Sequence, residues 1–243
     1  MTSFCMRQQT FILLMFAAAS VSADFESWTS FRQESIEKSA SISGWCTRDK
    51  AALIMDLIHD HSCKVCVEIG VFLGASLFPI SRALQYQGCG KVYAIDAWDP
   101  VEAVSGYAPS DPNYVWWMAL DFDALVNQTK SLLDQYKLRP YCKLIRKPAR
   151  QVVHLFADES IDFIHLDGNH MEIGFEDVLL YFPKVRDGGY VLLNDPNWFS
   201  RRQSLVYLLE RAEVLSAYDR PAKYLLLQKT SERLEAAHHL TKE

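Results

Sequence analysis

The stretch Val67-Glu68-Ile69-Gly70-Val71-Phe72-Leu73-Gly74 constrains this chain more than any other. The alternating run 64–69 reads as a short strand, Gly70 and Gly74 bracket a turn, and a helix-like run follows over 75–85. A strand feeding a glycine turn feeding a helix aims backbone N–H groups at whatever lies above the strand end. Glycine there removes a Cβ that would block close approach. The acid on the strand, Glu68, is unusual. A loop that cradles a pyrophosphate gains nothing from a nearby carboxylate, whereas a ligand carrying positive charge does.

The next strand, 91–95, ends at Asp96, so strand, helix and strand fit within about 33 residues, the size of one βαβ unit. Its strands should run parallel with a right-handed crossover. Two later strands end the same way: 161–166 at Asp167, and 190–193 at Asn194-Asp195. In an open parallel sheet such ends converge on one crevice, where ligands bind. Carboxylates gathered there repel one another unless a cation sits among them. Asp96 is read as the acceptor of ribose hydroxyls, with an N-cap of the next segment as the alternative.

Around this frame, Thr47 is the expected N-cap of an amphipathic helix reaching about residue 61, with Leu53, Ile54, Leu57 and Ile58 on one face. Residues 97–117 carry three prolines and five aromatics, among them Trp98, Trp116 and Trp117. They form either a lid or substrate wall, or a surface loop packed down by its own aromatics. Further elements are expected as a helix over 118–136, a strand over 141–145, a short helix over 149–157 and a helix over 172–182. A helix over 202–211 and strands near 212–217 and 223–228 complete the chain. The last two strands are joined too tightly for a crossover and should be antiparallel.

At 243 residues, with 49% apolar and 23% charged residues, the chain can bury one large core. A net charge of −5 leaves no basic footprint for nucleic acid, so the expected partner is a small molecule. Residues 1–23 combine Arg7, an apolar run over 11–19 and the small residues Val21-Ser22-Ala23. That is the layout of an export leader cleaved after Ala23; the apolar run is too short for a stable membrane span. A cytoplasmic chain with an uncleaved leader is the alternative. The expected organisation is leader 1–23, arm 24–46, main domain 47–229 and polar tail 230–243. Cys63 and Cys66 have C-x-x-C spacing at a strand start and read as core residues.

The ordered set of motifs resembles class I S-adenosylmethionine-dependent methyltransferases. Glu68-Ile-Gly70-Val-Phe-Leu-Gly74 looks like their first motif. The strand ending in Asp96, the run Ile164-His-Leu-Asp167-Gly-Asn-His170, and the run Asp187 to Asp195 follow in that family's order. The subgroup is the one whose fourth strand ends in an Ile-Asp-Gly-Asp-His-like sequence. The resemblance implies a three-layer, Rossmann-like α/β fold with a mostly parallel seven-stranded sheet and an antiparallel last strand. It also implies S-adenosylmethionine as cofactor. Glu68, Gly70 and Gly74 would flank its methionine part, Asp96 its ribose, and Trp98 the adenine pocket. The loop Arg146-Lys147-Pro148-Ala149 offers the adenine amine no acid or serine. Asp167 and Asp195 match the metal-binding acids of catechol-type O-methyltransferases, and with the Asn194 amide oxygen they would suit Mg²⁺. Pro196 stands where those enzymes carry Asn. His170 is a candidate base or metal ligand, or simply a helix-start residue, and His165 a satisfied core histidine. Trp198 and Phe199 would wall the substrate site.

The expected activity is O-methylation of a small molecule or sugar hydroxyl. Two other readings remain open at this stage. A nicotinamide-dependent oxidoreductase also uses a glycine turn and an acid after the second strand, but Phe72 stands where its second glycine belongs. A non-catalytic exported module on the same fold would suit a chain remote from cytosolic cofactor.

Overall fold

The computed structural model describes residues 27–218 and 223–231. The expected leader 1–23 lies outside the described residues, as does most of the tail. Among the described residues no helix is long and apolar enough to cross a membrane.

Seven strands make one sheet: β1 Val65–Ile69, β2 Lys91–Asp96, β3 Cys142–Arg146, β4 Ile161–Leu166, β5 Val185–Asn194, β6 Ala212–Tyr218 and β7 Tyr224–Lys229. Their order is β3-β2-β1-β4-β5-β7-β6. All neighbours from β3 to β5 pair in parallel, and β7 is antiparallel to both β5 and β6. The chain reverses direction across the sheet between β1 and β4, which opens a crevice at the strand ends there.

The pleat sends alternate residues to two separate cores. On one face Cys66, Val92, Ala94, Phe163 and Leu192 pack against the helices α1 Trp28–Ser41, α2 Arg48–Asp60 and α3 Leu77–Gln87. On the other face Val67, Ile95, Ile164, Val191 and Leu193 meet residues that include Val178, Tyr181 and Leu208. The strands are therefore apolar on both faces, as parallel strands between two helical layers must be. Burial pushes the Cys63 thiol up to about 12 and the Cys66 thiol well above its ordinary value. All five described cysteines are free, and this pair packs as core.

Several elements differ from the sequence reading. The arm contains α1, whose buried positions Phe31, Ser35, Ile36 and Ser39 have helical spacing. Two of the four are serine, so hydropathy hides the stripe. The Ser39 hydroxyl donates to the Ala75 carbonyl at 2.8 Å, tying the arm to the residues just past the glycine turn. The segment 97–117 is not a plain loop. It holds two short helices, α4 Pro100–Ala103 and α5 Pro112–Met118. Each starts from an Asp-Pro pair whose aspartate caps the first turn and whose proline is preset for it. The expected helix 118–136 begins later, as α6 Phe122–Gln135, because Asp121 caps it. The expected short helix 149–157 is two 3₁₀ turns, Ala149–Gln151 and Val153–Leu155. Finally α7, Glu172–Tyr181, and α8, Arg202–Leu209, cover the second face.

The turn after β1 is fixed by a close approach. Gly70 N–H donates to the Ile95 carbonyl at 3.0 Å and Asp167 N–H donates to the Ile69 carbonyl at 2.8 Å. The ladder thus continues past the strand ends. Gly70 has φ +86°, and a Cβ on it would lie 2.2 Å from the Asp167 carbonyl oxygen. Gly88, also left-handed at φ +69°, has nothing within 4 Å of a Cβ. Gly70→Ala should therefore cost about 3 kcal/mol or more, and Gly88→Ala only about 1 kcal/mol. Urea unfolding of the two variants checks the contrast; equal losses would contradict it.

Candidate active site

A cavity of about 410 Å³ opens where the ends of β1, β2, β4 and β5 meet, lined in part by Gly70, Asp96, Asp167 and Asp195. Each acid stands at the end of a strand or in the residue just beyond it. Gly74 and Glu68 do not line the cavity. Glu68 is fully buried beneath it, and its Oε1 shares a hydrogen bond of 2.9 Å with Nδ1 of His165. Glu68 and His165 sit opposite one another on neighbouring strands, so their side chains meet inside the sheet's helical cover. In this structure Glu68, expected to flank the methionine part of a ligand, meets His165 and does not border the cavity.

The loop-holding role falls to Asp96. Its Oδ2 accepts from the amides of Val71 at 2.8 Å and Phe72 at 3.0 Å, and its Oδ1 accepts from the Trp98 amide at 2.7 Å. Burial pushes its pKa up against the pull of these three amides. Trp98 is 2% exposed, and its indole N–H donates to the Phe72 carbonyl at 3.0 Å. It contributes to the cavity wall while bracing the turn. Phe72, Trp98 and Asp195 all have positive φ, at 53°, 40° and 47°. Left-handed non-glycine residues are strained, and three of them border one cavity, a concentration typical of functional sites.

At the other end of the rim Asp167, His170 and Asp195 converge. The His170 Nε2 lies 3.7 Å from Asp167 Oδ1 and 3.6 Å from Asp195 Oδ2. One ligand atom from each of the three lies within 4.8 Å of the others, close enough for a metal ion to be shared. The Trp198 ring stands edge-on to His170 at 4.7 Å, whereas Phe199 is 87% exposed and does not wall the cavity.

Asn194 is elsewhere engaged. Its Oδ1 accepts from the Lys50 ammonium at 2.8 Å, and its Nδ2 donates to Asp195 Oδ2 at 2.9 Å. Its amide oxygen thus faces the Lys50 ammonium. Lys50 is 1% exposed and also reaches Asp167 Oδ2 at 3.3 Å. Sequence reasoning missed it as a site residue. Thr47 caps α2 as expected, accepting from the Lys50 amide at 3.2 Å. The signal available was phase: Lys50, Ile54, Leu57 and Ile58 share one helical face, a face that is otherwise apolar. Burial alone would push the Asp167 carboxyl up, but the Lys50 ammonium, His170 and His165 outweigh it and hold the group below the carboxylate range.

Two further residues were not foreseen. Arg201 is 1% exposed and donates to the Gly168 carbonyl at 3.3 Å. Asp177 is 5% exposed and lines the cavity from α7. Burial pushes its carboxyl up to about 7, with the Arg201 charge opposing. Asn169 fixes the aromatic segment: its Nδ2 donates to the carbonyls of Glu102, Ala103 and Ser105 at 3.2, 3.3 and 3.0 Å. Trp116 and Trp117 of that segment reach the cavity, where Trp116 meets Trp45 with ring centroids 5.7 Å apart. The segment is thus both packed on its own aromatics and part of the wall.

A methyltransferase domain profile matches residues 67–196, more than half of the chain, from within β1 to just past β5. The chain belongs to that family, and its sheet is the class I fold of S-adenosylmethionine-dependent methyltransferases. Solved structures agree in fold. The O-methyltransferase NovP superposes with TM-score 0.60 at 15% identity, over 76% of this chain and 81% of its own. TomG from Streptomyces achromogenes, an O-methyltransferase solved with S-adenosylmethionine, gives 0.57 at 16% identity, over 81% and 90%. The methyltransferase PaMTH1 from Podospora anserina, solved with S-adenosylhomocysteine, gives 0.55 at 16% identity, over 83% and 88%. No curated protein matches the chain in sequence.

Removing Lys50 should leave Asp167 as an uncompensated charge in the rim. Lys50→Met is expected to lose about 3 kcal/mol of stability at pH 7. A depressed carboxylate contributes stability that is present above its unfolded pKa and lost as pH falls through the folded value. The variant's deficit should therefore narrow below about pH 4. Asp177 has the opposite sign. Its raised pKa makes the wild type lose stability as pH climbs from about 4 to about 7. Asp177→Asn should gain on the order of 2 kcal/mol over wild type across that range. Denaturant titrations at about pH 3 and 4 read the first effect, and at about pH 4, 6 and 8 the second.

Proposed function

We propose that the protein transfers the methyl group of S-adenosylmethionine to a hydroxyl oxygen of a small molecule or sugar. The observation that carries this reading is the pairing, in one cavity, of the glycine turn after β1 with the His170–Asp167–Asp195 trio. The acids give the rim the negative character that a sulfonium ligand needs. The turn at Gly70 presents backbone to the ligand without a Cβ in the way. Asp96 accepts three amides, and a carboxylate has about four acceptor sites. One site thus remains for a ribose hydroxyl.

His170 takes the proton of the acceptor hydroxyl. Its Nε2 lies between the carboxylates of Asp167 and Asp195. Lys50, held by Asp167 and Asn194, keeps the rim from accumulating unbalanced negative charge. Trp45, Trp116 and Trp198 line the cavity and offer aromatic faces to an acceptor. Transfer to oxygen is an in-line displacement at the sulfonium carbon. The chain's main work is alignment, and good alignment can supply roughly 7–11 kcal/mol.

A divalent ion fits the trio. Two carboxylate oxygens and one imidazole nitrogen make a mixed donor set, which suits an ion that accepts nitrogen beside oxygen better than Mg²⁺. An ion held by Asp167, His170 and Asp195 would take the place of the imidazole base, lowering the pKa of the acceptor hydroxyl in its stead.

The test is methyl transfer from labelled S-adenosylmethionine to a panel of catechol, phenol and hexose acceptors. His170→Ala should lower turnover about 100-fold or more while leaving cofactor binding by calorimetry unchanged. Loss of activity on treatment with EDTA, restored by Mn²⁺, would assign the trio to an ion. Full activity of His170→Ala, or calorimetric binding of NADH in place of S-adenosylmethionine, would overturn the reading.

A further inference from the structure

Asp177 takes no part in the chemistry proposed above, yet it lines the same cavity. It is 5% exposed, and among the described residues no hydrogen bond and no ion pair reaches its carboxyl. A buried carboxyl without a partner is costly, so one left facing a cavity calls for a donor from a ligand. The other acids nearby are engaged. Glu102 holds Arg150 with two hydrogen bonds of 2.8 and 2.6 Å, and Asp96 holds the turn. Arg201 is close in charge, but its Nη2 donates to the Gly168 carbonyl.

The position of Asp177 is fixed by its neighbours. One helical turn on, the Tyr181 hydroxyl donates to the Ala149 carbonyl at 2.9 Å, so this face of α7 lies against the turn after β3. A Cβ on Gly168 would stand 3.4 Å from Asp177 Oδ2. The carboxyl therefore sits between the turn at Pro148–Ala149 and the residue that follows Asp167. Ile95, Ala97, Pro148, Ala149 and Ile173 also line the cavity. Short apolar walls with one unpartnered acid describe a slot for a flat heterocycle that carries an N–H donor on its edge.

We propose that Asp177, on α7, accepts the exocyclic amine of the cofactor's adenine and makes the site selective for a 6-aminopurine. The proposal rests on the cofactor reading above. The turn after β3, with Pro148 and Ala149, has no side chain for that task. Asp177 supplies one from a different element, across the slot.

Two ligands and two variants test it. Calorimetry compares S-adenosylhomocysteine with its analogue whose purine bears hydrogen in place of the 6-amino group. A hydrogen bond to a buried charged group is worth roughly 10- to 100-fold in binding. The wild type should prefer the amino compound by about that factor. Asp177→Ala should bind S-adenosylhomocysteine about tenfold more weakly and the deamino analogue as the wild type does, so the preference collapses. Asp177→Asn is nearly isosteric and guards against a folding defect, and melting curves of both variants report on the fold. It should retain part of the preference through its amide oxygen. A wild-type preference that survives in both variants overturns this proposal alone. A wild type that binds neither compound overturns it together with the cofactor reading.

Discussion

One buried ammonium holds the rim of this sheet together. Asp167 and Asp195 leave adjacent strands β4 and β5 within reach of a single imidazole, and such carboxylates repel. Lys50 enters from α2, bridges Asp167 and Asn194, and is shielded from water at 1% exposure. In a site of low effective dielectric that charge counts for far more than it would in water. It keeps Asp167 ionised and fixes the Asn194 amide, which in turn steadies Asp195. The cation demanded by gathered acids is thus partly built into the protein, from a helix that precedes the glycine turn in sequence.

The second constraint is steric. The β1 turn and the Asp167 backbone approach so closely that only glycine fits at position 70. The same contact sets how near the turn stands to the trio beyond β4. Asp96 then locks the turn from the β2 side by taking its amides. Position, charge and access therefore converge from four strands and one helix onto one cavity, and the family's fold supplies the convergence.

How much of this was legible differs by residue. The strands, their parallel order and the reversed last strand followed from alternating runs and from a connection too short for a crossover. Asp96, Asp167 and Asp195 were legible as strand ends that meet. Where Glu68 points was not legible, because a strand residue near the turn can face the cavity or the helical layer, and alternation alone does not say which. Its partner His165, one strand over, decided it. Lys50 and Asp177 were missed for a shared reason. Each is a charge at an apolar helical phase, and a hydropathy stripe treats such a residue as a flaw in the pattern. In α7 the buried set is Gly174, Asp177, Val178 and Tyr181, a helical face with one acid in it. The helix α1 hid for a related reason, since buried serines carry no apolar signal.

The most direct measurement is a crystal structure of the protein with S-adenosylhomocysteine bound. The sulfur should lie against the turn at Gly70–Phe72, with the ribose at Asp96 and the open side of the sulfur facing His170. A ligand seated away from that turn, or a sulfur turned from His170, would contradict it.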